Sequence, residues 1–205
     1  MYKYDTGLTV QEVYDDLHTR YEMYGATDYS HGVGTEHLCK GMRSILDVGG
    51  GRSGYARAVA KTYGMKVVEI VDISPIAVAA QKKRGLSARV ADVSRELPYI
   101  DRACDVVVCF DVLEHIAEPE VYTAMRELVR CANKRVLITV GIDVGKHKGP
   151  NGEQLHLTVK EWSWWLRKIR EQCAGMCSDV RLIRVTRRIT QQGRLHPGNV
   201  IVVER

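Results

Sequence analysis

The chain has 205 residues, 45% of them apolar and a net charge of +5, which suits one globular domain with an ordinary core. No apolar run reaches the roughly 18–20 residues that span a bilayer, and the opening Met1-Tyr-Lys-Tyr-Asp lacks a basic-then-apolar leader, so a soluble, cytoplasmic protein with no membrane partner is expected. The charge excess falls wholly in residues 151–205, where 10 Lys and Arg face 5 Asp and Glu. Arg181, Arg184, Arg187, Arg188 and Arg194 form either a patch for an anionic partner or a solvated strand face.

Six scattered cysteines include one further close pair, Cys173-Ala-Gly-Met-Cys177, and no second pair at metal-ligand spacing. Reduced thiols, with no disulfide framework and no metal ion, are expected; Cys104 and Cys109 lie in or beside an apolar run where a thiol acts as a small hydrophobe.

Along the chain, Val10, Val13, Leu17, Tyr21 and Tyr24 recur at helical spacing, and Thr9 with Glu12 reads as a capping box, predicting a helix over 9–24. Residues 25–43, rich in Gly, His and Thr, read as a loop. Residues 44–48 are a short apolar strand, followed by glycines and a helix over 53–63. Strands over 66–71 and 87–91 flank a helix over 75–84 that has Pro75 in its first turn. Asp105 to Phe110 is a continuous Val/Cys run of the kind buried on both faces of a parallel sheet. A helix over 119–131 and a strand over 135–140 follow. After a loop over 141–157 comes a helix over 158–173 that buries Trp162, Leu166, Ile169 and Cys173. Strands over 180–190 and 198–204 close the chain.

This alternation predicts a doubly wound, Rossmann-like α/β fold with a mostly parallel seven-stranded sheet and one antiparallel edge strand. Residues 44–205 would be the core domain, with residues 1–43 as an N-terminal helix and lid.

Between the first strand and its helix stands Asp47-Val-Gly49-Gly-Gly51-Arg-Ser-Gly54. Bare glycines let a ligand approach the backbone, and a helix N-terminus offers N–H groups. Gly49-x-Gly51-x-x-Gly54 also fits the dinucleotide fingerprint, with Asp72 near the distance of a ribose-binding acid. Asp47 separates the two readings. A carboxylate beside a pyrophosphate is repulsive, whereas a ligand with an ammonium group is attracted to it.

Ile45-Leu-Asp-Val-Gly-Gly-Gly resembles motif I of the class I S-adenosylmethionine-dependent methyltransferases. Val71-Asp72-Ile73-Ser74, Ala91-Asp92-Val93 and Asp111-Val112-Leu-Glu114-His115-Ile116 are similar to three later motifs, the last to that of the ubiquinone and small-molecule branch. Ser53 departs from the family, many of whose members carry a glycine there. The resemblance implies S-adenosyl-L-methionine as cofactor. It places Gly49 and Gly51 beneath the ligand, Asp47 at its methionine end, and Asp72 with Ile73 at the ribose. It places Asp92 and Val93 at the adenine, and Asp111 and Val112 along the cleft. Helix capping before Pro75 is the plain alternative for Asp72.

Methyl transfer to a hydroxyl or protonated amine requires loss of a proton, for which histidine is the usual group near neutral pH. His115 borders the fourth strand. His156 precedes a Trp-rich segment that resembles sugar- and small-molecule-modifying methyltransferases. Both, with Asp111, are candidate catalytic residues; for His156 the alternative is a cap on the helix behind it. His31, His37 and His147 are weaker acceptor-side candidates, and Trp164 is a candidate acceptor contact.

The expected function is O-methylation of a small or saccharide-like acceptor, with nitrogen open. Modification of nucleic acid through the C-terminal arginines and a non-catalytic cofactor-binding module are the alternatives. The sequence carries no indication of oligomeric state.

Overall fold

Strands made of unbroken branched apolar residues have to be covered on both faces. The computed structural model describes residues 2–21, 34–145, 148–189 and 194–205, without the side chains of 186–189 and 194–197. The strands are β1 (Ser44–Val48), β2 (Val67–Asp72), β3 (Ser87–Val90), β4 (Cys104–Phe110), β5 (Ala132–Thr139), β6 (Asp179–Ile189) and β7 (Arg194–Glu204). They form one seven-stranded sheet in the order β3-β2-β1-β4-β5-β7-β6. The first five pair in parallel, and β7 runs antiparallel to both neighbours. The expected mostly parallel sheet is present, and its antiparallel strand lies one place in from the edge. The crossover after β5 carries β6 past one position, and β7 returns into that position.

The helices are α1 (Val10–Arg20), α2 (Tyr55–Tyr63), α3 (Pro75–Lys83), α4 (Glu118–Cys131) and α5 (Trp162–Gln172). Alternation along the strands divides the core into two layers. Ile45, Val106 and Val108 meet Tyr55 and Val59 of α2 on one face. Leu46, Val107 and Cys109 meet Val121, Met125 and Leu128 of α4 on the other, where Trp165 of α5 completes the layer. The predicted capping box is formed at α1: Thr9 Oγ accepts the Glu12 N–H at 3.2 Å, and the Glu12 carboxylate accepts the Thr9 N–H at 2.8 Å.

Two predicted helices are shorter than expected by more than a turn. α1 ends at Arg20. α5 begins at Trp162 rather than residue 158, because the preceding segment is held extended against the loop after β4. The Leu157 and Thr158 N–H groups donate to the Glu114 carbonyl at 2.7 and 2.9 Å, and the Thr158 hydroxyl donates to the Ile116 carbonyl at 2.7 Å. The Trp-rich helix buries Trp165, Ile169 and Cys173, whereas Trp162 and Leu166 are half-buried. Trp164 lies against Trp165 and Tyr122 with Lys160 over its ring, packing that accounts for its position without an acceptor. All six cysteines are free thiols.

Trp165 is fully buried, and its Nε1–H donates to the Lys160 carbonyl at 3.1 Å. Trp165→Ala is expected to cost about 3–5 kcal/mol, the usual effect of deleting a large buried ring. A urea titration of parent and variant measures it. A loss below about 1 kcal/mol would mean that the α4–α5 layer does not depend on this ring.

Candidate active site

The strand order reverses between β1 and β4, and such crevices at strand carboxyl ends are where open α/β sheets bind ligands. A cavity of about 640 Å³ lies there, lined by the ends of β1, β2 and β4, the loops after them and part of α1.

The glycine loop takes its course from close packing. Gly49 has φ +71°, and a Cβ there would stand 2.3 Å from Val112 Cγ2, so only glycine fits. Its N–H donates to the Val71 carbonyl at 2.7 Å. The Gly51 N–H donates to Asp72 Oδ2 at 2.8 Å. From α3, fully buried Gln81 donates its Nε2 hydrogens to the Gly51 and Ser53 carbonyls, both at 2.9 Å. Nothing in the sequence singled Gln81 out, since a lone glutamine at helical spacing carries no signal. Ser53 uses its Oγ to accept the Tyr55 N–H at 3.1 Å, closing the first turn of α2.

Asp72 accepts the Ser74 N–H on Oδ1 at 2.8 Å, while Ser74 itself is the cap of α3. Asp72 therefore tethers the glycine loop to β2 and also lines the cavity. Its carboxyl is pushed up to about 6, chiefly by burial. Asp47, buried at the end of β1, is pushed up to about 7, by burial first and then by the nearby Asp72. Asp92 accepts the Ser94 N–H and hydroxyl at 2.9 and 2.6 Å, and lines the cavity with Ile73 and Val93. Asp111 has φ +53°, and its Oδ1 accepts the Thr139 hydroxyl at 2.7 Å. It lines the cavity beside Val112.

At the other end of the cavity, His115 and His156 meet edge to face with ring centroids 4.8 Å apart. His115 Nδ1 lies 3.0 Å from the Leu155 carbonyl, and His156 Nδ1 lies 2.6 Å from the Asp143 carbonyl. His156 does not stand at the cap of α5, which is Glu161; its ring is turned to the Asp143 carbonyl instead. Buried Glu114, quoted in the motif but given no role from sequence, accepts the Gly141 N–H at 2.7 Å. From α1, Tyr14 places its ring 5.7 Å from His115, and His18 reaches the same cavity. The spacing marked α1 as amphipathic but did not indicate which of its residues face a ligand. His37 is exposed and does not line the cavity. His31 and His147 lie outside the described residues.

Among the described residues, the lining contains six carboxylates, those of Asp47, Asp72, Asp92, Asp111, Glu114 and Glu120, and no Lys or Arg. Fold and site together define a Rossmann-like cofactor-binding domain whose cavity favours a cationic ligand over a pyrophosphate.

A family described as a methyltransferase domain matches residues 46–139. Norajmaline N-methyltransferase of Rauvolfia serpentina is 30% identical over 151 residues, covering 69% of this chain and 50% of the relative. The mitochondrial ubiquinone biosynthesis O-methyltransferase of Schizosaccharomyces pombe is 27% identical over 176 residues, 71% of this chain and 64% of its own. The chain thus spans about half to two thirds of the length of these two relatives. Among solved structures, a Haemonchus contortus N-methyltransferase in complex with phosphomonomethylethanolamine and S-adenosylhomocysteine superposes with a TM-score of 0.69 at 18% identity, covering 97% of this chain and 60% of that one. The magnesium protoporphyrin IX methyltransferase of Synechocystis PCC 6803, with bound S-adenosylhomocysteine, gives 0.63 at 16% identity over 96% and 97%. Over residues 46–139 the family match, together with these relatives, supports the resemblance to the class I S-adenosylmethionine-dependent methyltransferases.

The raised carboxyls of Asp47 and Asp72 give the protein a stability that falls with rising pH. The folded chain holds protons that the unfolded chain releases near the ordinary Asp value, so the contribution is complete below about pH 4. It disappears as pH rises through about 6 for Asp72 and about 7 for Asp47. Asp47→Asn is expected to flatten the upper part of this decline, by on the order of 3 kcal/mol at about 1.4 kcal/mol per pKa unit. Denaturant titrations of the ligand-stripped protein at pH 5 and pH 8 check it. A variant with the parent's full pH slope would remove Asp47 as its source.

Proposed function

We propose that the chain binds S-adenosylmethionine and transfers its methyl group to a hydroxyl of a small or saccharide-like acceptor without negative charge. The observation that carries this reading is the cavity at the β1/β4 reversal, rich in carboxylates and lacking Lys or Arg among its described lining residues. Bound there, the cofactor supplies an electrophilic methyl group on a sulfonium. Asp47 would accept the ammonium of its methionine part, directly or through water. Gly49 and Gly51 would leave room beneath it. Asp72, alongside Ile73, would accept the ribose hydroxyls, since a carboxylate offers about four lone-pair positions and its backbone partners do not take all of them. Asp92 would accept the adenine amino group and the Val93 N–H would donate to the ring. Asp111 and Val112 would border the reacting end.

A neutral hydroxyl has to lose its proton, and the cluster of His156, His115 and Glu114 supplies the groups for that beside Asp111. The apolar and aromatic surface of Tyr2, Val10, Tyr14, Ile116 and Leu155 suits a compact acceptor. A phosphate-bearing acceptor would meet carboxylates, and Arg181 is already paired with Asp179 and Glu204. These features favour a small neutral acceptor over nucleic acid. The N-terminal residues 1–43 act in this reading as a lid, because α1 lays Tyr14 and His18 over the cavity. Part of that segment, residues 22–33, lies outside the described residues.

Asp72→Ala is expected to weaken S-adenosylhomocysteine binding by about 10- to 150-fold, the effect of losing a charged acceptor. His156→Ala should leave that affinity within about twofold and slow methyl transfer by about 10²–10⁴-fold. Calorimetry and a single-turnover assay on both variants separate the roles. Equal affinity for parent and Asp72→Ala, or a full rate for His156→Ala, would each displace the residue from its place.

The lid reading has its own measurement. Closing over the cavity excludes water, so cofactor and acceptor together should slow amide exchange in α1. Exchange that is unchanged on binding both would leave α1 as a fixed wall.

A further inference from the structure

The geometry points to a divalent-cation site formed by Glu114, His115 and His156 at the acceptor end of the cavity. One ligand atom from each residue lies within 4.8 Å of the other two. Metal–ligand bonds of about 2.0–2.2 Å place neighbouring donors roughly 3 Å apart. An ion bound there would draw the three donors closer together.

Three further features fit an ion. The first is the setting of the two rings. A carbonyl only accepts, so His115 and His156 each direct an Nδ1–H to one, at 3.0 and 2.6 Å. In the neutral ring the lone pair is then on Nε2. Ligating histidines are oriented this way, with one nitrogen tied to a carbonyl or carboxylate and the other on the metal. The second is the bare backbone around the cluster. A Cβ on Gly141 would stand 2.7 Å from His156 Cε1 and 3.0 Å from Glu114 Oε1; one on Gly145, at φ +67°, would stand 3.0 Å from His156 Cε1. The loop after β5 therefore wraps His156 with glycine at both points, and its Gly141 N–H fixes one Glu114 oxygen. The third is charge. Asp111 and Glu114 both line the cavity, and a dication is attracted to carboxylates.

Two imidazoles and one carboxylate are a donor set for Mn²⁺, Fe²⁺, Co²⁺ or Zn²⁺ rather than for Ca²⁺ or Mg²⁺. Three protein donors leave positions for an acceptor oxygen. With an ion bound, the three side chains assist proton loss as its ligands rather than as proton acceptors, and a hydroxyl on the ion loses its proton to water more readily. The oxygen–carbon bond then forms as the carbon–sulfur bond breaks, leaving S-adenosylhomocysteine. This role rests on the methyl-transfer reading; the ion site itself does not.

The full chain, treated with chelator and then dialysed, is titrated with Mn²⁺ and with Co²⁺ in the absence of cofactor. One ion per chain is expected, with visible absorption of the Co²⁺ form that reports nitrogen ligation. His115→Gln, His156→Gln and Glu114→Gln should each weaken binding by at least about 100-fold, beyond the 10–100-fold cost of altering an outer-shell partner. S-adenosylhomocysteine affinity, measured on the same samples, should stay near the parent's and shows that each variant is folded. Failure of the parent to bind either ion below millimolar concentration would overturn the site. So would parent-like ion affinity in all three variants. If the ion binds and S-adenosylhomocysteine does not, the site stands and the methyl-transfer reading falls.

Discussion

Two carboxylates buried at the ends of neighbouring parallel strands set the terms for the rest of this structure. Asp47 and Asp72 cannot both carry charge cheaply in so dry a place, and their raised values record that cost. Donors have to be brought to them, and the nearest are backbone N–H groups. The Gly51 and Ser74 amides come to Asp72, and the Ala56 amide favours the charged form of Asp47. Bringing Gly51 to β2 requires the tight loop through Gly49, whose positive φ and contact with Val112 admit no side chain. Gln81 then holds that loop from behind. The glycine loop, the start of α2 and the start of α3 are thus one unit arranged around two buried acids.

In the proposed reading the same unit also selects the ligand. Strand ends in such a sheet direct helix N-termini toward the crevice, a field that ordinarily attracts phosphate. Here the carboxylates stand in front of that field, and the described lining has no Lys or Arg to offset them. Positive charge on the ligand removes the penalty that an anion would increase.

Much of this was legible in the sequence because it is local. Asp47, Gly49 and Gly51 lie within five residues of one another, and Asp72, Asp92 and Asp111 each close or follow a strand of the alternating pattern. Strand and helix periods placed most of the elements correctly for the same reason. What stayed hidden depends on contacts between distant segments. The Trp-rich helix lost its first turn because the Glu114 and Ile116 carbonyls, more than 40 residues earlier, take the donors of residues 157 and 158. No propensity of Leu157 or Thr158 reports that competition. Glu114 stood in a quoted motif, yet its proximity to His156 and Gly141 follows only from the order of β4 and β5 in the sheet.

The two ends of the cavity therefore differ in how they are built. The cofactor end is assembled from strand tips, and moving any of its acids would disturb the sheet itself. The acceptor end is assembled from α1, the turn after β4 and the loop after β5, which meet through Tyr14 on His115, His115 on His156, and His156 on the Asp143 carbonyl, while α1 also reaches the other end through Asp15 on the Ser74 hydroxyl and the His18 carbonyl on Arg52. In the proposed reading, a substitution around the paired histidines alters the chemistry presented to the acceptor while leaving β1, β2 and their acids in place. That division is consistent with relatives of comparable identity that carry N-methyltransferase and O-methyltransferase names. In the proposed reading the strand-tip half of the cavity holds the cofactor, and the acceptor is selected by the few side chains gathered around the paired histidines.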